Sequence, residues 1–201
     1  MVGASEVRLS DIPPVEPGDL LIAADGGYKN LQKFNIVPHV WVGDMDSLEA
    51  LPADCETVRL PVVKDDTDMV YAARIGLERG FTEFVFCGVL GGERFSHSFA
   101  AVQTLHWLLR RGAHSTALAG GTTVTVIEGE TMHFDPSRRG SVSVFSLTDR
   151  AVVTETGLLY TLDRAVLGND FPLGVSNSFT GQEAAITAHE GVLAVIIEEK
   201  V

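Results

Sequence analysis

Four stretches of the chain concentrate residue types that hold phosphate or cations. Gly43-Asp44-Met45-Asp46-Ser47 places two carboxylates two residues apart in a turn. Carboxylates so placed can converge on one hard divalent cation, and magnesium often takes only one or two of them plus substrate phosphates. Lys64-Asp65-Asp66-Thr67-Asp68 adds a cation and three acids at the start of a helical pattern, with Asp65 and Asp68 three apart. Gly88-Val89-Leu90-Gly91-Gly92-Glu93-Arg94-Phe95-Ser96-His97 has glycines that admit a phosphate to the backbone, and an arginine able to pair with it through two N–H groups. Phe171-Pro172-Leu173-Gly174-Val175-Ser176-Asn177-Ser178-Phe179-Thr180-Gly181 reads as a loop that could pack on an aromatic heterocycle while Ser176 and Asn177 bond its edge. Each has a plainer reading: an aspartate-rich turn, a helix cap, a glycine-rich crossover, a loop between strands. A Walker-type phosphate loop, a dinucleotide G-x-G-x-x-G and a G-x-S-x-G elbow are all missing.

Such residues act only where elements place them. Of 201 residues, 45% are hydrophobic, enough for a substantial core, and 21% are charged, which excludes a disordered chain. The formal net charge of −12 disfavours a nucleic-acid partner. No run approaches the roughly 18 apolar residues of a membrane span. Cys55 and Cys87 form no C-x-x-C pair, and the first residues lack a secretory pattern, so the expected location is cytoplasmic.

The first half alternates between strand and helix. Strands are expected over 20–24, 40–42, 57–60, 83–87 and 115–119. Helices are expected over 28–34, 67–79 (Val70, Ala73 and Leu77 on one face) and 95–111. This order implies a mainly parallel sheet with helices on its faces. From about Gly120, six short strands follow: 124–128, 131–134, 141–145, 151–154, 184–188 and 192–197. The pattern predicts α/β, an N-terminal mainly parallel α/β sheet domain over 1–119 followed by a C-terminal antiparallel β-sandwich over 120–201.

Taken in order, these stretches resemble the thiamine pyrophosphokinase family over almost the whole chain. Ala24-Asp25-Gly26-Gly27 matches the family's A-D-G-G, and Pro38 to Ser47 matches its P-D-x-x-x-G-D-x-D-S, with His39 in place of the first aspartate. Lys64 to Asp68 matches K-D-x-T-D, and Phe171 to Gly181 matches F-P-L-G-x-S-N-x-F-x-G. The family's G-x-x-G-G turn is followed by R-x-D-H. Here Ser96 stands for that aspartate, Ala101 for an asparagine further on, and Glu93 is an added residue.

The resemblance implies transfer of a pyrophosphoryl group from ATP to thiamine, giving thiamine diphosphate and AMP, with magnesium. It implies a homodimer whose active sites lie between the α/β domain of one subunit and the β domain of the other. On the matched positions it implies Asp46, Asp65 and Asp68 as metal ligands and Asp44, Asp46, Asp68 and Arg94 as the catalytic set. Asp25, Gly26, Gly27, Lys64, Gly91 and Gly92 would meet the nucleotide, and Ser176, Asn177 and Phe179 the thiamine. A thiamine- or nucleotide-binding relative with little turnover, or another magnesium-dependent phosphotransferase on the same scaffold, are the alternatives.

Overall fold

The computed structural model describes residues 1–45, 54–63 and 65–199, so Asp46 and Lys64 lie outside the described residues. The chain divides into two compact units, Met1–Gly120 and Gly121–Val201.

In the first unit, β1 (Ile22–Ala24), β2 (Val40–Gly43) and β3 (Glu56–Arg59) form a parallel sheet in the order β1-β2-β3. β1 and β2 are buried throughout, as a sheet covered on both faces requires. Side-chain alternation divides them between two clusters. Ala23 and Trp41 pack with Leu31 of α1 (Gly27–Lys33), whereas Ile22, Val40 and Val42 pack with Ala72 of α2 (Asp68–Glu78). The strand β4 (Glu83–Cys87) pairs in parallel with β5 (His114–Ala119), and α3 (Phe95–Leu109) connects them. Between β1 and β4 runs the segment around Val2, with parallel bridges to Ala23 and to Cys87. The chain therefore builds outward from Val2 in two directions, which makes this line a topological switch point.

One helix face differs from expectation. The buried stripe of α2 is Ala72, Ala73 and Gly76, while Val70 and Leu77 are only half-buried. Small side chains decide this, because they let the helix sit close: a Cβ at Gly76 would lie 2.5 Å from the Phe84 ring. On α3 the buried residues Ala101, Thr104, Leu105 and Leu108 follow the helical repeat.

The second unit has two antiparallel sheets. One has the order β10 (Leu162–Gly168), β9 (Arg150–Thr156), β12 (Ala184–Glu190), β7 (Thr131–Phe134). The other joins β11 (Gly174–Ser178), β8 (Ser141–Ser146), β13 (Val192–Glu198) and β6 (Thr122–Glu128). Their inward residues, among them Val153, Ile186, Val144 and Val195, make one core. Two strands lacked a sequence signal. β10 is fully buried only at Leu167 and shows no alternation of polarity, and β11 is short and carries glycine, serine and asparagine. The stretch expected as a loop around Ser176 and Asn177 is thus an edge strand in its middle. No helix among the described residues is long and apolar enough to cross a membrane.

Candidate active site

A cleft of about 640 Å³ opens at the carboxyl ends of β1, β2 and β4, the place where an open α/β sheet receives ligands. Asp25 and Asp44 enter it directly from β1 and β2, and Asp68 from the first turn of α2. Asp25 is held in a left-handed conformation (φ 48°). Its N–H donates to the Val42 carbonyl at 2.7 Å, and its own carbonyl accepts from the indole Nε1 of buried Trp41 at 3.1 Å. Its carboxyl oxygen Oδ1 is buried with no hydrogen-bond partner among the described residues. A buried carboxylate oxygen left in this way fits a cation or a phosphate-bound group as its missing partner.

The helix start behaves differently from the aspartate cap that the sequence allowed. Thr67 is the N-cap of α2, its Oγ1 accepting from the Val70 N–H at 3.3 Å. Asp66 pairs with Arg74 at 2.7 Å, and Asp65 is exposed and does not line the cleft. With Thr67 as cap, Asp68 lines the cleft and stands where the helix dipole favours negative charge.

The opposite wall is the turn after β4 and the start of α3. Gly91 and Gly92 have φ of 72° and 78°, a conformation that side chains disfavour, and both line the cleft beside Glu93, Arg94 and His97. Ser96 is exposed and is not among the lining residues. Gly27 lies elsewhere, at the start of α1, where a Cβ would strike the Val2 carbonyl. Sequence reasoning missed one wall entirely: Gly3, Ala4, Ser5 and Glu6 also line the cleft. Buried Asn30 holds them, its Nδ2 donating to the carbonyls of Gly3 at 2.9 Å and Ser5 at 2.7 Å. His39, the departure in its motif, accepts the Leu21 N–H on Nδ1 at 2.9 Å and so braces the entry to β1.

Among the described residues, no three His, Cys, Asp or Glu side chains are grouped as a ready-made cage. The oxygen donors Asp25, Asp44 and Asp68 along one cleft are nonetheless the donor type that magnesium selects, with phosphate oxygens and water completing its shell.

The second unit has its own polar feature. Between Gly174 and Asn177 the pairing of β11 with β8 slips by one residue, and Ser176 takes φ 60° in this bulge. The Ser176 N–H donates to the Ser143 hydroxyl at 3.0 Å, and Ser176 itself is exposed. Asn177 is buried at 6% exposure, and its amide is fully engaged. Oδ1 accepts from the N–H groups of Tyr160 and Ser178, both at 2.9 Å, while Nδ2 donates to the Tyr160 carbonyl at 2.6 Å and to Glu155 Oε2 at 2.8 Å. The Phe179 ring lies edge-on to Phe134 at 5.1 Å and packs against the sandwich core. Glu155 was not found from the sequence. Its signal was an acid two residues beyond Val153, at an inward position of β9. Burial pushes its carboxyl pKa up, and the Asn177 N–H offsets part of that rise.

An open α/β layer with carboxylates and a glycine turn at its switch point, followed in the chain by a β-sandwich, defines a phosphate-handling enzyme of two units. Residues 15–116 match the thiamin pyrophosphokinase catalytic domain, and residues 130–193 match the thiamin pyrophosphokinase vitamin B1 binding domain. The chain belongs to the thiamin pyrophosphokinase family and is an enzyme, a diphosphotransferase. The fold resembles thiamine pyrophosphokinase from Bacillus subtilis, with a TM-score of 0.84 at 18% identity over 100% of this chain and 99% of that one. The Geobacillus thermodenitrificans enzyme gives 0.79 at 23% identity over 99% and 96%, and the yeast enzyme 0.76 at 13% over 98% and 84%. No curated protein matched the sequence.

Proposed function

We propose that the chain transfers the pyrophosphoryl group of ATP to the primary hydroxyl of thiamine, releasing AMP. The observation that carries this is the cleft in the first unit, where Asp25, Asp44 and Asp68 face a glycine turn and Arg94. The hydroxyl oxygen attacks the β-phosphorus, the bond from that phosphorus to the oxygen bridging it to the α-phosphate breaks, and the hydroxyl proton passes to Asp44 or Asp68. Gly91 and Gly92 give the phosphates close access to backbone, and Arg94 offsets the charge that develops on them. Magnesium would be held by Asp46, Asp65 and Asp68 with Asp44 beside them, Asp65 having to turn in from outside the cleft, and would neutralise the phosphate oxygens. Lys64 and Gly26 belong to the nucleotide side of this reading, whereas Gly27 serves the packing of α1 against Val2. Ser176 faces thiamine from the bulge, Asn177 holds the bulge in shape, and Phe179 supports it from the core.

The protein is read as a cytoplasmic homodimer. Supporting the dimer, Leu159, Tyr160, Phe171, Leu173 and Val175 of the second unit are each at least 45% exposed. Exposed large apolar side chains are what a second copy would cover. The deciding assay incubates the protein with thiamine, ATP and magnesium and measures thiamine diphosphate and AMP together. Equal formation of both is expected, and production of ADP in place of AMP would refute pyrophosphoryl transfer.

A further inference from the structure

Glu155 occupies a position where hydrocarbon would serve the fold better. Ala151 and Val153 precede it on the inward face of β9, and both belong to the sandwich core. Glu155 continues that face at 1% exposure, with its Oε1 buried and lacking a hydrogen-bond partner among the described residues. Burying a carboxyl costs free energy that one hydrogen bond offsets only in part. Its one side-chain hydrogen bond among the described residues crosses from one sheet to the other, to Asn177 on β11.

Asn177 has no freedom in how its amide is turned. Two backbone N–H groups point at one end, which must therefore be the oxygen, and the Tyr160 carbonyl and Glu155 receive the other. Glu155 is the only side chain among the described residues recorded in that amide's hydrogen bonds, because the remaining three partners are backbone groups. The next residue back, Ser176, is the bulged residue with φ 60°.

We propose that Glu155 is a positioning residue for thiamine: by holding the Asn177 amide from the opposite sheet it sets the bulge that presents Ser176 to the substrate. This rests on the thiamine reading of the Ser176-Asn177 stretch given above. Glu155 touches neither substrate in this scheme and acts only through Asn177.

The test compares Glu155→Leu and Glu155→Gln with the unaltered protein, measuring KM for thiamine, KM for ATP and the melting temperature. Glu155→Leu is expected to raise the thiamine KM about tenfold, the effect of losing one buried hydrogen bond, with the ATP KM unchanged. Its melting temperature should fall by no more than that one bond accounts for, and a rise confined to the thiamine KM is what a merely structural role does not produce. Glu155→Gln keeps an acceptor oxygen for Asn177 and should restore the thiamine KM to within about twofold. An unchanged thiamine KM in Glu155→Leu, or an equal rise in both KM values, overturns the proposal.

Should Glu155→Leu fail to fold, the unaltered protein still decides. The Asn177 side-chain NH2 resonances, assigned by their loss in Asn177→Asp, should exchange with solvent slowly and shift in Glu155→Gln. Fast exchange overturns the proposal even in a protein that uses thiamine. Slow exchange in a protein that neither binds nor turns over thiamine would leave Glu155 holding Asn177 while refuting thiamine as the ligand, and with it the substrate part of the proposal.

Discussion

Asp44 and Asp68 line the cleft from backbone that other groups have already fixed, Asp44 by the end of β2 and Asp68 by the Thr67 cap. Neutralising either should affect chemistry far more than folding. Asp44→Asn is expected to lower kcat about 100-fold or more, the range for removing one preorganised electrostatic group, with little change in melting temperature. Asp25 is different, because its strained conformation is secured through buried Trp41. Trp41→Phe keeps most of the packing but deletes the indole donor. It should cost about 1 kcal/mol in denaturant unfolding and reduce turnover, with Asp25 no longer fixed. Glu155 yields a prediction with a definite sign. Its folded pKa is raised above the ordinary glutamate value of 4.5. Its contribution to stability is therefore complete below that value and declines as pH rises toward the folded pKa, because the unfolded chain loses the proton first. Glu155→Gln lacks this decline. Unfolding midpoints measured from pH 4 to pH 8 should move in favour of Glu155→Gln as pH rises, and parallel curves would count against a raised pKa.

Elements were legible wherever burial and periodicity agreed. β1, β2 and β4 are continuous apolar runs closed by glycine or aspartate, and all three are found within two residues of expectation. Part of the cleft was legible for the same reason, since Asp25, Asp44 and Gly88 stand directly after those strands. The misses came from contacts that span the sequence. The stripe of α2 follows the closeness allowed at Gly76, not the largest apolar side chains. β11 forms because β8 offers it an edge, although its own residues read as a loop. The Gly3 to Glu6 wall depends on Asn30, a residue with no motif around it. Gly27 shows how tightly such contacts bind elements together, because its missing side chain lets α1 start against the Val2 carbonyl. Gly27→Ala is expected to destabilise the first unit by about 1–3 kcal/mol through overpacking, seen as a lower midpoint in urea.

At the scale of the whole molecule, the proposed dimer turns on the second unit. It carries Leu159, Tyr160, Phe171, Leu173 and Val175 exposed on an otherwise acidic protein of net charge −12. If a second copy covers these side chains, Phe171→Asp with Leu173→Asp should give a folded monomer by light scattering, with turnover much reduced. An unchanged mass would place the dimer contact elsewhere. The first unit poses a question of timing. Val2 supplies bridges to β1 and β4 on its two sides, yet Cys87 lies most of the unit's length away along the chain. The β1 side of the layer can pair within the first 59 residues, but the two halves cannot join until that distant strand arrives, and the loop entropy is lost before the Val2–Cys87 pairing compensates for it. During synthesis, therefore, the aspartates of β1 and β2 emerge well before the Gly88 to His97 wall of their cleft, which is complete only once β4 has joined Val2.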